Sequence, residues 1–501
     1  MTVYVYKSKP YAHQDKLFNE TWSQPAYGLL WEQGCGKTKP TIDTAARLFE
    51  AGEIDALVVV APNGVHRNWI SDELPAHLPD RVKSRSMALY LQTDKMGRTP
   101  AGNIRPHQKE LERLMAFKGL AILTVSYDGF ITTKDNIKDP VKRRNAPDKG
   151  REFMGKFMRA RRCLMVVDES HSIKNPTALR TKTLMAARKF APYRRILTGT
   201  PVAQGPFDLY SQMRFLDENF WAARGFPDFE CFKNHFGVFQ LKDFGMRTLT
   251  KVCVAYKNLG ELHDMITAAT HRLTKADALD LPPKVYSKRY YDMTAEQFKA
   301  YQDLKEVLFT ELHTGAVVEA PLAIVKLLRF QQIVCGYAGD TEGNLVRLKS
   351  NPRLELLKEV VEQTEKAGII WARFTEDVNQ IMELLGDTAV RYDGSTSADE
   401  RAIAKERFQK GEVKWFVGNQ AAGATGLTLT QAKTVIYYSN SFKLVDRLQS
   451  EDRAHRIGQD EAVNYIDLVC SDSVDERIVG ALRAKLDIAT TITGDTLKEW
   501  I

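Results

Sequence analysis

The 501-residue chain is poor in the features that fix a protein's class at a glance. It has six cysteines, at 35, 163, 231, 253, 335 and 470, with no CxxC pair and no Cys/His cluster at zinc spacing. A disulfide-stapled scaffold and a zinc module are thereby excluded, and free thiols in a reducing compartment are expected. Cys35, inside a glycine-rich loop, is the one candidate reactive thiol. No uninterrupted apolar run approaches membrane-spanning length, and the opening "MTVYVYKSKPYAHQ" lacks a charged-then-apolar signal pattern. A soluble, cytoplasmic protein without a membrane partner is the expectation. Low-complexity tails and short-period repeats are also missing. Lys and Arg number 71 against 63 acidic residues, a net charge of +8 that permits a polyanionic partner without demanding one.

What is present is a repeated grammar of short apolar runs, each followed by a helical pattern. "DALVVVAP", "GLAILTVSY", "RCLMVVDES" and "RRILTGTP" form one set, and "AGIIWARF", "DTAVRYDG", "VKWFVGN" and "AKTVIYYSN" a second. Continuous apolar runs of this length suit strands buried on both faces of a parallel sheet. The helical stretches between them, such as "TIDTAARLFEAGE" and "TEDVNQIMELLGD", complete βαβ units. The reading is α/β, with two such domains in tandem. The first covers residues 1–280 with a helical insertion at about 205–280. The second covers residues 281–501, with a helical insertion at about 290–350 and a C-terminal helical brace at about 473–501. A stiff Pro282-Pro283 linker marks the boundary. The basic stretch from Lys134 to Arg162 reads first as a solvated face and second as a phosphate-contact surface.

Three separated motifs carry chemistry. "WEQGCGKTKP" ends in Gly36-Lys37-Thr38, the close of a phosphate-binding loop, but Trp31 stands where the first glycine belongs. With "AYGLLW" as strand and "KTKPTIDTAARLFE" as helix, backbone amides at the helix start would face phosphates. Lys37 would neutralise the β and γ phosphates, and Thr38 would bind Mg²⁺. "LMVVDESH" ends an apolar strand in two carboxylates: Asp168 to hold Mg²⁺, and Glu169 to orient or deprotonate the attacking water. "LQSEDRAHRIGQ" carries Gln449, Arg453, Arg456 and Gln459. Helical spacing would put the first three near one face, with the guanidinium groups beside the γ-phosphate.

In that order the motifs resemble the superfamily-two helicase-like ATPases of SWI/SNF type, from about Tyr11 to Lys485. "EQGCGKT" is similar to the family's DEMGLGKT, with Glu32, Gly34, Gly36, Lys37 and Thr38 retained, and Cys35 inside the loop. "DESHSIKN", "LTGTPVAQ" and "QSEDRAHRIGQ" are similar to DEAHRIKN, LTGTPLQN and QAxxRAHRIGQ. "HRLTKADALDLPPK" resembles the RRxKxDVxxxLPPK junction, through Arg272, Lys275 and Asp277. The resemblance implies two RecA-like domains using ATP and Mg²⁺. The first would supply Lys37, Thr38, Asp168 and Glu169; the second would supply Arg453 and Arg456. Gln14 resembles the glutamine that reads the adenine edge.

The resemblance also implies DNA as partner, held by its backbone without base readout. Asn63, Asn68 and Trp69 in "APNGVHRNWISDEL" fall on one contact motif, with core packing an equal alternative for Trp69. Ser126 and Tyr127 in "TVSYDG" fall on another. Arg373, Gly394, Gly423 and Gly426 match second-domain positions, where small residues let a phosphate approach. The chain departs from the family at Asn419-Gln420, in place of Ser-Thr, and at Phe442-Lys443-Leu444, in place of Trp-Asn-Pro. It looks more like short phage and prokaryotic members than chromatin remodellers, which implies a bacterial or phage-infected cell. The expected activity is a monomeric, DNA-dependent ATPase that walks on duplex DNA in replication, recombination or repair, with replication or recombination proteins as partners. The alternatives are a strand-separating or branch-migrating helicase, an RNA helicase, a motor subunit of a defence complex and a non-hydrolysing scaffold.

Overall fold

A computed structural model describes residues 4–63, 65–89, 106–130, 149–242, 249–313, 320–339, 345–423 and 427–495. The chain divides into two compact units. The first comprises Met1–Phe236, Asn258–Leu279 and Thr491–Gly494; the second comprises Gly237–Lys257, Asp280–Thr490 and Asp495–Ile501.

The first unit is built on β1 (Ala26–Trp31), β2 (Ala56–Ala61), β3 (Ser84–Leu89), β4 (Leu120–Ser126), β5 (Cys163–Asp168) and β6 (Tyr193–Leu197). In chain order an antiparallel pair of the second unit follows, β7 (Gly237–Lys242) and β8 (Thr250–Tyr256), before β9 (Thr270–Leu273) rejoins the first unit's sheet. The seven-stranded sheet has the order β3-β4-β2-β5-β6-β1-β9, parallel throughout. Its central strands, "ALVVVA" and "CLMVVD", are buried at every position, as a two-sided parallel sheet requires. β3 carries exposed Ser84, Arg85 and Ser86 along the sheet's edge, a polar guard against edge pairing.

The second unit holds β10 (Lys284–Tyr291), a small ribbon of β11 (Tyr337–Gly339) and β12 (Leu345–Arg347), then β13 (Gly368–Ala372), β14 (Ala389–Tyr392), β15 (Trp415–Asn419), β16 (Thr434–Tyr437) and β17 (Val463–Cys470). Six of them form a parallel sheet of order β10-β17-β16-β13-β15-β14. Apolar clusters cover both faces, one around Trp371, Phe408 and Phe416, the other around Leu357, Ile370 and Trp415.

All eight apolar runs picked out in the sequence are strands. The region at 205–280 is not wholly helical. It contains the β7–β8 ribbon, and β9, which pairs with β1 and closes one edge of the first sheet. The region at 290–350 holds the helices Ala295–His313 and Ala320–Val334, and the C-terminal region the helix Val474–Thr493. Of the basic stretch from Lys134 to Arg162, residues 134–148 lie outside the described residues.

Candidate active site

In each unit the parallel strands deliver their C-terminal ends to one end of the sheet, where loops are free to hold ligands. In the first unit those ends are the loop after β1, Asn63 after β2, Ser126 at the close of β4, Asp168 at the close of β5, and Thr198 after β6.

The loop after β1 turns on two glycines with left-handed backbones, Gly34 at φ 89° and Gly36 at φ 74°. A side chain at Gly36 would also strike Gln14 Nε2, 2.3 Å from where its Cβ would lie. Helix α2 (Thr38–Glu50) then begins with no side chain capping its first amides, which leaves them directed at the loop. Lys37 folds back, donating from Nζ to the carbonyls of Trp31 at 3.0 Å and Glu32 at 3.3 Å. Glu32 is itself gripped by the junction motif: Arg272 Nη2 lies 3.4 Å from Oε1, and the Lys275 amide donates to Oε2 at 2.8 Å. Arg272 also donates to the Leu30 carbonyl at 2.7 Å. Residues 240 positions away thus brace the strand end and loop.

Trp31 closes β1 and is fully buried. Its indole N–H donates to His271 Nδ1 on β9 at 2.9 Å, and its ring packs edge-on to His13 and His271. Burial holds the His271 imidazole below its ordinary pKa, which keeps Nδ1 available as acceptor. The indole is therefore a packing element between β9 and helix α1 (Ala12–Thr21), not a defective loop residue. Cys35 is buried as well, which corrects the expectation of a reactive thiol. Gln14 has both amide ends engaged: Oε1 accepts from the Tyr11 amide and Nε2 donates to the Gly36 carbonyl, each at 2.9 Å. Here it braces the loop, and contact with an adenine edge would require exchange of these bonds.

Asp168 and Glu169 carry both electrostatic and backbone strain. Burial and the adjacent Glu169 carboxylate push the Asp168 carboxyl up to about 6, against the pull of the Trp69 indole and Lys37. Glu169 takes a left-handed backbone, φ 53° and ψ 54°, which is costly for a residue with a side chain. Its Oε1 accepts from Gln33 Nε2 of the loop at 3.1 Å. Its Oε2 is buried without a hydrogen-bond partner, with His171 Nδ1 3.4 Å away. His171 Nδ1 also meets Thr198 Oγ1 at 3.1 Å, tying this turn to "LTGTP". Two adjacent carboxylates, one with a raised pKa and one with an orphaned oxygen, make a site that a divalent cation would relieve. Asp168 and the Thr38 hydroxyl at the start of α2 are oxygen donors of the kind that Mg²⁺ takes.

Two nucleic-acid expectations need correction. Trp69 is buried, and its indole donates to Asp168 Oδ2 at 3.1 Å. Tyr127 is buried too, its hydroxyl donating to the carbonyls of Asp168 at 2.6 Å and Glu169 at 3.2 Å. Both side chains buttress the carboxylate turn instead of facing a backbone phosphate. Asn63 and Asn68 are exposed, and Ser126 is half-buried; β2 and β4 pair Ala61 with Ser126, so Asn63 and Ser126 share one sheet end. Gln33, His171, Trp69 and Tyr127 complete the carboxylate turn, and no spacing in the sequence announces that role.

In the second unit, Arg373 follows β13, Gly394 follows β14, and Gly423 closes the short helix Gln420–Gly423 after β15. Gly426 lies outside the described residues. The Arg373 guanidinium is hydrogen-bonded to Gln331, and burial lowers its pKa. The two departures at 419 and 420 are structural ties: Asn419 donates to the Ala372 carbonyl at 3.1 Å and Gln420 to Asn440 Oδ1 at 3.1 Å.

The helix carrying Gln449 ends at Glu451, so Arg453 and Arg456 lie in the turns beyond it, and the helical-face expectation is corrected. A shared acceptor brings them together: both donate to the Leu427 carbonyl, at 3.2 and 2.9 Å. Gln459 is buried and donates to three carbonyls of neighbouring turns, a structural role. Glu451, fully buried, anchors the turn. It accepts from Arg447 at 2.8 Å, Lys284 at 3.0 Å and the Tyr286 hydroxyl at 2.8 Å, and these neighbours hold its carboxyl below the usual range against the cost of burial. Arg447 also forms a forked pair with Asp467.

Comparison with known proteins finds two family models, the first running past the end of the first unit at Leu279. The SNF2-related domain matches residues 17–335, and the helicase conserved C-terminal domain matches residues 352–458. The chain is 28% identical over 477 residues to mouse chromodomain-helicase-DNA-binding protein 1-like, covering 92% of this chain and 47% of that protein. It is 27% identical over 336 residues to the putative ATP-dependent helicase/translocase YwqA of Bacillus subtilis, covering 64% of this chain and 34% of that one. It thus spans about half, or less, of these relatives' length. Among solved structures, a Sulfolobus solfataricus SWI2/SNF2 ATPase core in complex with dsDNA aligns over 99% of this chain and 96% of its own, at 21% identity and a TM-score of 0.39. Among the described residues, no helix is long and apolar enough to cross a membrane.

Proposed function

The chain belongs to the SNF2-related family of superfamily-two helicase-like ATPases, and from that premise we propose an ATP-driven motor that hydrolyses ATP and translocates on double-stranded DNA. The observation that carries the reading is the joined loop and carboxylate turn: an uncapped helix start, Lys37, and Gln33 bonded to a Glu169 whose other oxygen lacks a hydrogen-bond partner. Lys37 and the first amides of α2 bind the phosphates. Asp168 and Thr38 hold Mg²⁺, which supplies charge neutralisation when bound. Glu169 orients the attacking water and takes its proton, and Arg453 and Arg456 offset charge on the γ-phosphate in the transition state. Exposed Asn63 and Asn68, together with Ser126, Arg373, Gly394 and Gly423, contact the DNA backbone, so binding is independent of sequence, while Gly426 and Gln449 serve the nucleotide. The motor acts as a monomer in replication, recombination or repair, in a bacterial or phage-infected cytoplasm.

The test compares ATP hydrolysis stimulated by duplex, single-stranded and forked DNA and by RNA, alongside triplex displacement. Stimulation by duplex DNA with triplex displacement is the expected result. Hydrolysis indifferent to nucleic acid, or stimulated by RNA alone, would overturn the reading.

A further inference from the structure

Gln33 lies half-buried in the phosphate loop, between Glu32 and Gly34. The motif that "EQGCGKT" resembles, DEMGLGKT, has methionine at this place, so the amide is a departure of this chain. Both ends of its bond to Glu169 start from fixed backbone. On the loop side, Arg272 and Lys275 grip Glu32, and Gly34 turns through the left-handed region. Gly199 of "LTGTP" packs so closely that a Cβ there would lie 3.0 Å from the Gln33 nitrogen. On the turn side, the Glu169 amide donates to Asp168 Oδ1 at 3.0 Å. The Glu169 carbonyl accepts from the Tyr127 hydroxyl at 3.2 Å and from the Ser172 amide at 3.0 Å.

Backbone alone does not set the rotation of the carboxylate, since the last torsion of a glutamate is broad and roughly two-fold. A general base has to present one oxygen within hydrogen-bond reach of the water that it deprotonates. Gln33 Nε2, donating to Oε1 at 3.1 Å, makes the choice between the two oxygens. Oε2, buried without a hydrogen-bond partner and with the His171 ring 3.4 Å away, is left to accept from the attacking water. The chemistry of the donor suits the task. A lysine or arginine would also hold Oε1, but it would offset the charge that makes the carboxylate a base. A neutral amide orients the group and leaves its charge. Because the amide hangs from the loop that binds the phosphates, base and γ-phosphate are aligned from one backbone.

We propose that Gln33 is a positioning residue for hydrolysis, holding the Glu169 carboxylate in one rotation through Oε1 so that Oε2 takes the proton of the attacking water. In that step the water oxygen bonds to the γ-phosphorus, the bond to the bridging oxygen of ADP breaks, and the water's proton passes to the carboxylate. The proposal rests on Glu169 as the base of an ATP hydrolase. The experiment uses the full chain as wild type, Gln33→Met, Glu169→Gln and the double variant. ATP hydrolysis is measured with and without duplex DNA, beside the affinity for a fluorescent ATP analogue. Met is close to glutamine in length, lacks the donor and is the residue of the resembled motif, so the loop keeps its shape. Gln33→Met should lower kcat about tenfold, the scale of a misaligned base, with KM and analogue affinity within about twofold. In the Glu169→Gln background the same substitution should cost less than about twofold, because its effect passes through the base. Three results overturn the proposal. One is Gln33→Met at wild-type kcat. Another is a loss carried by KM or analogue affinity, which would make Gln33 part of phosphate binding. The third is an equal loss in both backgrounds, which would make its effect independent of Glu169. Near-normal turnover in Glu169→Gln alone overturns the base assignment and the proposal with it. A wild type whose hydrolysis ignores DNA overturns the motor reading and leaves the Gln33 comparison readable in the basal rate.

Discussion

The carboxylate turn of the first unit and the arginine turn of the second handle buried charge in opposite ways. Asp168 and Glu169 stand side by side, one with its carboxyl raised to about 6, the other with an oxygen that accepts no hydrogen bond and a left-handed backbone. Glu451 is as buried, yet Arg447, Lys284 and Tyr286 compensate it, and Arg453 and Arg456 rest on a backbone carbonyl. One turn stores unfavourable charge that a cation would relieve; the other is stable as it stands. On the proposed reading the first would be relieved by its ligand, and the second would hold its cations in place for a phosphate.

Removing the charge that the first turn concentrates gives the largest expected effect. Lys37→Ala and Glu169→Gln should each lower phosphate release by about 10³-fold or more, with Glu169→Gln still binding a fluorescent ATP analogue. Near-normal turnover in Glu169→Gln would end its assignment as base. On the other side of the comparison, Arg456→Ala should cost on the order of 10³-fold in turnover, while thermal unfolding without nucleotide changes little, since its bonds to the Leu427 carbonyl and the Thr428 hydroxyl are single hydrogen bonds to neutral groups. A large fall in melting temperature would make Arg456 structural.

A smaller effect separates the corrected role of Trp69 from a DNA contact. Trp69→Phe removes a donor that holds the Asp168 carboxyl down. Its pKa should rise further above about 6, the ionised fraction near neutrality should fall, and the acid limb of the pH–rate profile should move to higher pH. DNA affinity at fixed salt should stay the same within about twofold, because the indole is buried against Asp168. A clear loss of DNA affinity at fixed salt would restore Trp69 to the DNA surface. By the same reasoning, Mg²⁺ should raise the melting temperature more at pH 7.5 than at pH 5.5, where a larger fraction of Asp168 carries its proton.

The smallest effect lies at β1. Trp31→Phe should cost about 1 kcal/mol in urea unfolding by stranding His271 Nδ1. Because burial keeps the folded His271 pKa below about 6.5, the unfolded chain takes up a proton first as pH falls. That contribution to stability is full above pH of about 6.5 and is lost below it. Equal stability of wild type and variant at pH 7.5 would remove the bond from the account.

Much of this was legible because strands buried on both faces must be continuously apolar, and all eight such runs were found. β9, β10 and β17 were less visible. β9 and β10 lie at sheet edges, where polar residues are tolerated, and β17 is interrupted by Asn464 and Asp467. The glycines, Lys37 and the Asp168-Glu169 pair were legible because phosphate and metal chemistry restrict the residue type. Tyr127 was misread, and Trp69 left between core packing and DNA contact, because motif spacing fixes a position along the chain and not the direction in which a side chain points. Arg453 and Arg456 were grouped for the wrong reason, since their helix stops at Glu451.

By itself the sequence determined the α/β class, the two parallel sheets and the family, through periodicity and residue chemistry, which act over a few neighbouring positions. Only tertiary structure decided that Trp31 packs between His13 and His271, that Arg272 and Lys275 grip the loop through Glu32, that Trp69 and Tyr127 serve the carboxylate turn, and that the β7–β8 ribbon stands exposed. Those outcomes depend on which of many distant partners satisfies a buried donor or leaves an apolar face uncovered. That choice is made by packing across hundreds of residues, where no local pattern reaches.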